Sequence, residues 1–393
     1  MSHFSNLTYP LIIVSLTIFV LITPACEAVE DDQRKHLVIV FDGLRADYIT
    51  PDLMPNLYRF GQEGVVAENH HVVYPPVTRV NSPSLATGSY PGTHGLMHNH
   101  IYLPEISEDM EPIIDIHQHT NYHGRSYEDM LSHQRAMGIT TTILLPAGRP
   151  VNTASTHGGE SNGLGGVQAG GNKSCYDFAQ QYPDEFLFGA NEVPDLPDAI
   201  EEIEKYLKLG AQMIGESKFG VECDSPEMQI IYELARDFDV PVLMHWQHER
   251  YNFGFERFHK MLEKYPGVNF IGHAQTWWAN IDKNHEDQSN LYPSGRVTRG
   301  GLTDRLLSDY PNMYGDLSAG SGLNSMTRDE EHARGFLERH QDKLLYGSDC
   351  ADPYGHGPDC QGTQTIKAIR RISSSKTIER KLLYDNAKAL FKL

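Results

Sequence analysis

The chain has 393 residues, with 33 Lys and Arg against 52 Asp and Glu and a net charge of −19. That sign excludes nucleic acid and anionic membrane surfaces as partners, since both demand a basic footprint. A hydrophobic content of 39% and a charged content of 22% are enough for a sizeable core, in one large domain or two to three smaller ones.

In chain order, the first feature is an apolar run from Leu11 to Ile22 (LIIVSLTIFVLI). It falls short of the roughly 20 residues that span a bilayer. It predicts a cleaved export signal over residues 1–28, hence a periplasmic or secreted protein with no membrane span. Ala25-Cys26 faintly resembles a bacterial lipoprotein site, which makes a lipid anchor at Cys26 the lesser expectation. The other cysteines, Cys175, Cys223, Cys350 and Cys360, complete no C-x-x-C pair, so neither a zinc knuckle nor a disulfide framework is indicated. Cys350 and Cys360 are able to pair, but nothing in the sequence requires it.

Residues 34–43 (RKHLVIVFDG) read as a buried strand ending in a carboxylate and a turn, followed by a helix from Met54 to Gly61. Then come residues 74–88 (YPPVTRVNSPSLATG) and 91–95 (PGTHG). These stretches resemble the start of the alkaline phosphatase and nucleotide pyrophosphatase superfamily. The resemblance implies a metal ligand at Asp42, a nucleophile at Thr78 and a phosphoryl-steadying amide at Asn81. It covers residues 35–100 and stops before the further Asp and Asp-His ligands that a two-metal site needs. Residues 29–105 are therefore expected to be a truncated segment in which Asp42, Thr78 and Asn81 are vestigial. The segment is too small for a core of its own, and proteolysis is expected to release a fragment starting near Glu111.

Beyond Ile113 the pattern becomes regular. Strand-like apolar runs recur at 112–119, 140–147, 186–193, 211–219, 241–247, 268–275, 313–319 and 343–350. Amphipathic segments follow them at 126–137, 175–182, 197–209, 226–238, 255–264, 300–309, 328–340 and 361–371, with a last helix at 376–390. The expected fold class is α/β: a (β/α)8 TIM-type barrel over 106–393, preceded by an export signal and a small truncated α/β segment. A doubly wound sheet is the alternative, but eight units in this length favour closure. A glycine-rich loop, His157–Asn172, and a long one, Thr276–Thr298, both fall on strand-to-helix connections and hence on the active-site face.

In a parallel barrel the C-terminal strand ends converge on one mouth. Strand 1 ends in His117 and His119, strand 4 in Glu216 and Lys218, strand 5 in His245, strand 6 in His273 and strand 8 in Asp349. Imidazoles and carboxylates are the side chains that hold a divalent metal, and the i, i+2 spacing of His117 and His119 turns both to one face of a strand. Asp115 shares that face deeper in the barrel, as a support for the ligands.

The H-x-H of strand 1, the Gly-His of strand 6, the Gly-Ser-Asp of strand 8 and the closing Asp385-Asn386-Ala387 resemble the amidohydrolase superfamily, in its amidohydrolase-related branch of hydrolases and decarboxylases. The resemblance implies a metal held by His117, His119, His245 and Asp349, with His273 as a catalyst or second-metal ligand. Glu216 and Lys218 leave one or two ions open, and zinc is the expected ion. Such an ion lowers the pKa of its water to about 7. The resulting hydroxide is expected to attack a small amide, ester or lactone carbonyl, with Asp349 and His273 as the catalytic pair. A decarboxylase on the same barrel and a non-catalytic fusion product are the alternatives. Arg149, Arg250, Trp277 and Trp278 are candidate contacts for a small anionic or aromatic substrate.

Overall fold

The computed structural model describes residues 39–41, 44–67, 71–73, 78–91, 111–157 and 164–393. Two units partition the chain, Met1–Ser107 and Glu108–Leu393. The apolar leader, Cys26 and Asp42 lie outside the described residues.

In the first unit, α1 (Pro55–Glu63) starts with proline at its first position, where a missing N–H costs nothing, and α2 (Thr78–Thr87) carries Pro83 inside it. No residue of α1 is buried. The strand expected to lead to Asp42 is not formed at its described end: Ile39, Val40 and Phe41 are 52–61% exposed and belong to no strand. The reason is physical. A buried strand needs neighbours to pair with, and the described residues of this unit supply none.

The second unit is built on eight short parallel strands: β1 (Ile114–Gln118), β2 (Thr141–Leu144), β3 (Phe186–Phe188), β4 (Ile214–Ser217), β5 (Val242–His245), β6 (Phe270–His273), β7 (Met313–Asp316) and β8 (Leu344–Leu345). They pair in the order β1-β2-β3 and β4-β5-β6-β7-β8. The two arcs join into a ring. Between β3 and β4, Ala190 N–H donates to Met213 O at 2.9 Å and Gly215 N–H to Ala190 O at 2.9 Å. Between β8 and β1, Ile116 N–H donates to Tyr346 O at 3.1 Å and Asp349 N–H to His117 O at 2.8 Å. A closed parallel ring wrapped by helices is a (β/α)8 barrel.

The wrapping helices include α3 (Tyr127–Ala136), α4 (Asn172–Gln181), α5 (Ala199–Lys208), α6 (Pro226–Phe238), α7 (His259–Lys264), α8 (Gln275–Ala279), α9 (Leu302–Asp309), α10 (Ala319–Thr327), α11 (Glu330–Arg339) and α12 (Gln361–Ile372). Ser126 and Ser225 cap α3 and α6 by accepting N–H bonds from Asp129 and Met228. The chain ends in α13 (Lys376–Arg380) and α14 (Asn386–Phe391).

Alternation divides the strand side chains. Ile114, Ile116, Ile143, Met213, Leu243, Ile271 and Leu345 form one cluster with Leu187 and Tyr314 packed on it, so each strand or its edge lends a residue to the barrel interior. Phe391 and Ala387 of α14 join this cluster. They close the end of the barrel opposite the strand termini, which leaves the C-terminal mouth for the polar groups.

A buried ion pair ties α9 to α11. Asp304 accepts from His340 Nε2 at 2.6 Å, from Arg339 Nη2 at 3.1 and 3.2 Å and from Gly300 N–H at 3.0 Å. Burial alone would raise the Asp304 carboxyl, but His340 and Arg339 bring its pKa down to about 2. A depressed folded-state pKa gives stability that is present above the ordinary carboxylate range and lost as pH falls through about 2; the shift corresponds to about 2 kcal/mol. Asp304→Ala is expected to cost about 3 kcal/mol at neutral pH, because it leaves the Arg339 guanidinium and the buried His340 N–H without their acceptor. Urea unfolding from pH 7 down to 2 checks this: the gap between wild type and variant should close toward pH 2, and a pH-independent gap would refute the pairing.

Candidate metal centre

Two irregularities bring the donors together. Strand β1 slips its register between Asp115 and Gln118, and β4 slips between Ile214 and Ser217. The slip in β1 lets His117 follow Ile116 into the barrel mouth, where strict alternation would send it outward. The slip in β4 does the same for Glu216. Gly215 is required there: its φ is +141°, and a Cβ would stand 2.9 Å from Leu243 O. Asp115, expected on the histidines' face, is corrected by the same slip. Its carboxylate reaches the other way, accepting from His117 N–H at 3.0 Å, Ser348 N–H at 2.8 Å and Gln134 Nε2 of α3 at 2.8 Å. It still braces the segment that carries His117, and burial raises its pKa against those bonds.

The histidine tautomers follow from their partners. A carboxylate or a carbonyl oxygen only accepts, so the nitrogen facing it carries the proton. His117 Nδ1 donates to Asp316 Oδ2 at 2.7 Å and His119 Nδ1 to Leu145 O at 2.8 Å. Both therefore aim an Nε2 lone pair at the same point, and the two atoms lie 3.1 Å apart. Glu216 Oε2 is 3.5 Å from His117 Nε2 and 3.6 Å from His119 Nε2. Asp349 Oδ1 is 3.4 Å from His119 Nε2 and 3.9 Å from His117 Nε2. Glu216 Oε2 and Asp349 Oδ1 are buried without a hydrogen-bond partner.

His117, His119 and Asp349 form one donor cluster able to hold a divalent ion, and His117, Glu216 and His273 form another. Ligands at roughly 2.0–2.2 Å from one ion stand about 3–3.6 Å from one another. Two buried carboxylate oxygens without a hydrogen-bond partner suit a bound cation. The protonation pattern agrees. Burial opposes a charge on His117, yet Asp349, Asp316 and Glu216 raise its pKa well above the usual histidine value. Burial likewise opposes ionisation of Glu216 and Asp349, but Lys218 and His245 hold Glu216 well below the carboxylate range, and His117 and His119 do so for Asp349. The cluster attracts a positive charge, and a metal ion can replace the proton.

His245 stands apart from this ring. Its Nδ1 donates to Glu216 Oε1, and burial followed by the nearby Lys218 lowers its pKa to about 4, so it is neutral. Its Nε2, the nitrogen left for the expected ligand role, lies 3.4 Å from Gln247 Oε1. His273 Nε2 faces Glu216 Oε1 at 3.5 Å and Asp349 Oδ2 at 3.7 Å, while its Nδ1 lies 3.0 Å from Ser318 Oγ. Lys218 is partly buried, its Nζ 5.8 Å from the Tyr251 ring centroid.

Three groups were missed by the sequence reading. Asp316 gathers His117, His273 at 3.2 Å and the Ser318 hydroxyl at 2.7 Å. Ser318 links the two imidazoles. Tyr122 packs on His119, with ring centroids 4.9 Å apart, and its hydroxyl interacts with Asp349. The signal for Asp316 was available: β7 ends in Gly-Asp as strand 8 ends in Gly-Ser-Asp.

Two of the proposed substrate contacts are corrected. Trp277 and Trp278 are 0% and 2% exposed, because the loop expected from Thr276 begins as α8 and folds both rings into the core. Arg149 is held by Glu192 at 2.7 Å and by Asp198. Arg250 remains exposed, its Nε 3.0 Å from the Tyr251 hydroxyl.

In the first unit, Thr78 opens α2, and Asn81 Oδ1 accepts from Val73 N–H at 3.0 Å. The family model described as type I phosphodiesterase / nucleotide pyrophosphatase matches residues 36–233, half of the chain. The chain belongs to that phosphodiesterase family. Curated relatives of this phosphodiesterase-family chain include the bis(5'-adenosyl)-triphosphatase of Xenopus laevis, 44% identical over 68 residues, which are 17% of this chain and 15% of the relative. Venom phosphodiesterase 2 of Crotalus adamanteus is 38% identical over 73 residues, 18% of this chain and 9% of the relative. The chain thus spans 15% or less of the length of these relatives.

Solved structures similar to this phosphodiesterase-family chain include an uncharacterised TIM-barrel protein from Bordetella bronchiseptica (15% identity, 72% of this chain, 98% of that chain, TM-score 0.49). A probable 2-pyrone-4,6-dicarboxylic acid hydrolase from Acinetobacter baumannii with citric acid bound has 15% identity, 72% and 99% coverage and a TM-score of 0.45. A 2,6-dihydroxybenzoate decarboxylase from Rhizobium has 15% identity, 72% and 99% coverage and a TM-score of 0.46. Among the described residues, no helix is long and apolar enough to cross a membrane.

Proposed function

We infer that the barrel is a metal-dependent hydrolase of the amidohydrolase type, acting on a small amide, ester or lactone in an exported protein. The observation that supports this most is the pair of buried, unpartnered carboxylate oxygens, Glu216 Oε2 and Asp349 Oδ1, facing the Nε2 atoms of His117 and His119 at the barrel mouth. These four residues would hold one divalent ion, with zinc as the choice for mixed imidazole and carboxylate ligands. The second pole, around Glu216 Oε1, is already taken by the His245 N–H, which argues for one ion and not two. When bound, the ion supplies Lewis acidity and makes a water acidic at neutral pH.

The remaining work falls to side chains. Asp349, ionised and beside His273, accepts the proton of the attacking water and returns it to the leaving atom. His273 presents Nε2 to the reacting carbonyl region, its ring fixed through Nδ1 by Ser318. Lys218 at the rim offers a charge to an anionic substrate, and Tyr122 places a hydroxyl next to Asp349.

The test is a screen of small amides, esters and lactones with the full chain loaded with zinc or manganese, following heavy oxygen from labelled water into product. Label incorporation that disappears on chelation and returns with metal is the expected result. Release of carbon dioxide without label would replace the hydrolase by a decarboxylase. A phosphodiester substrate whose turnover is lost in Thr78→Ala but kept in Asp349→Ala would move the activity to the first unit.

A further inference from the structure

A second donor cluster lies outside the candidate centre. His133 is on α3, Cys350 directly follows Asp349, and Cys360 is the N-cap residue of α12. All three are buried. Cys350 Sγ and Cys360 Sγ are 3.9 Å apart, Cys360 Sγ is 3.5 Å from His133 Nε2, and Asp352 Oδ2 is 4.0 Å from the same nitrogen. Thiolates at about 2.3 Å and imidazole at about 2.0–2.1 Å from a tetrahedral ion stand about 3.8 Å (S···S) and about 3.5 Å (S···N) apart. The Cys350–Cys360 and Cys360–His133 separations match these values, and all three donor atoms lie within 4.8 Å of one another.

The tautomer of His133 provides an independent argument. The Gln134 amide nitrogen donates to Asp115 Oδ2 at 2.8 Å and to Thr142 Oγ1 at 2.8 Å, so Gln134 must present its oxygen elsewhere. That oxygen lies 2.9 Å from His133 Nδ1. Nδ1 therefore carries the proton, and the Nε2 lone pair is aimed at the two sulfurs. A histidine ligand oriented by a hydrogen bond from its other nitrogen is the usual arrangement around a metal. In addition, Thr363 N–H at the start of α12 donates to Cys360 Sγ at 3.4 Å, which fixes the sulfur's position.

The geometry points to a structural metal site at His133, Cys350, Cys360 and Asp352 that takes a thiophilic divalent ion of the zinc class. Its place in the fold gives it a role. The segment between Cys350 and Cys360 follows Asp349, and the ion clamps that segment to α3, whose Gln134 in turn bonds Asp115 behind His117. The site is a positioning device for the mouth, independent of which reaction occurs there.

Cobalt(II) loading of the full chain with its thiols reduced tests this. The candidate centre contains no sulfur, so a thiolate-to-cobalt charge-transfer band reports the second site alone. The band is expected in wild type and in Glu216→Gln, and it is expected to vanish in Cys350→Ser and Cys360→Ser. Should those variants fail to fold, mercurial titration of zinc-loaded wild type is expected to release about one equivalent of zinc as Cys350 and Cys360 react. The proposal is overturned by the absence of a band in wild type, by a band that survives both substitutions, by mercurial modification of both thiols without zinc release, or by a Cys350–Cys360 disulfide in the peptide map of the cobalt-treated protein.

Discussion

Replacing Asp349 by Asn is expected to lower kcat/KM for the barrel's substrate by about 10³-fold, the scale of a lost general acid–base group. The substitution preserves side-chain size and keeps the Asp349 N–H donating to His117 O, which helps to close the ring of strands. What it removes is the charge. Burial opposes ionisation of this carboxyl, but His117 and His119 hold its pKa far below neutral. It is therefore a carboxylate, able to accept a proton, at any pH where the histidines work. The amide neither accepts a proton nor offsets a cation at Oδ1. Steady-state kinetics with a urea titration separates the outcomes: the kinetic loss should come with an unchanged unfolding midpoint. A variant within tenfold of wild type would remove Asp349 from proton transfer.

Most strands of the barrel could be read from the chain because parallel strands buried on both faces appear as apolar runs, and because ligand-type residues end them. His117, His119, His273 and Asp349 were placed at the mouth by that logic alone. Its failures on β1 and β4 share a cause. Period-two alternation assumes unbroken register, and β1 and β4 break it where Asp115, His117 and Glu216 lie. Glu216 is placed at the mouth by the same logic, but the pattern does not choose between it and Lys218, and it assigns Asp115 to the wrong face. Trp277 and Trp278 were misjudged for another reason: a polar-looking loop gave no hint that it starts with a helical turn whose rings pack under Gly272 and Gly315. In the first unit the apolar run to Phe41 has strand composition, but its described residues, 39–41, belong to no strand.

Asp316 is the residue on which the centre's protonation pattern depends. Its Oδ2 accepts from His117 Nδ1 at 2.7 Å and from the Ser318 hydroxyl at 2.7 Å, and its Oδ1 accepts from Ser318 N–H at 2.9 Å. Both imidazoles that face the mouth from β1 and β6 are fixed through this carboxylate or the serine it holds. Burial alone would raise its pKa, but His117 and His273 keep it well below the usual range, so it stays an acceptor. An amide at position 316 has one acceptor atom and one donor group. Whichever way it turns, at least one of the three bonds is lost, and the orientation with nitrogen toward His117 selects the tautomer that withdraws the Nε2 lone pair from the metal. Asp316→Asn is thus expected to weaken zinc affinity by about 10–100-fold, as losses behind a metal ligand do. At saturating zinc, activity should largely return, unlike in Asp349→Asn, because no reacting atom touches Asp316. Competition of the variant with a calibrated chelator measures the first quantity, and turnover across a zinc titration measures the second. Wild-type affinity in the variant would show that the His117 tautomer is set by something other than this bond.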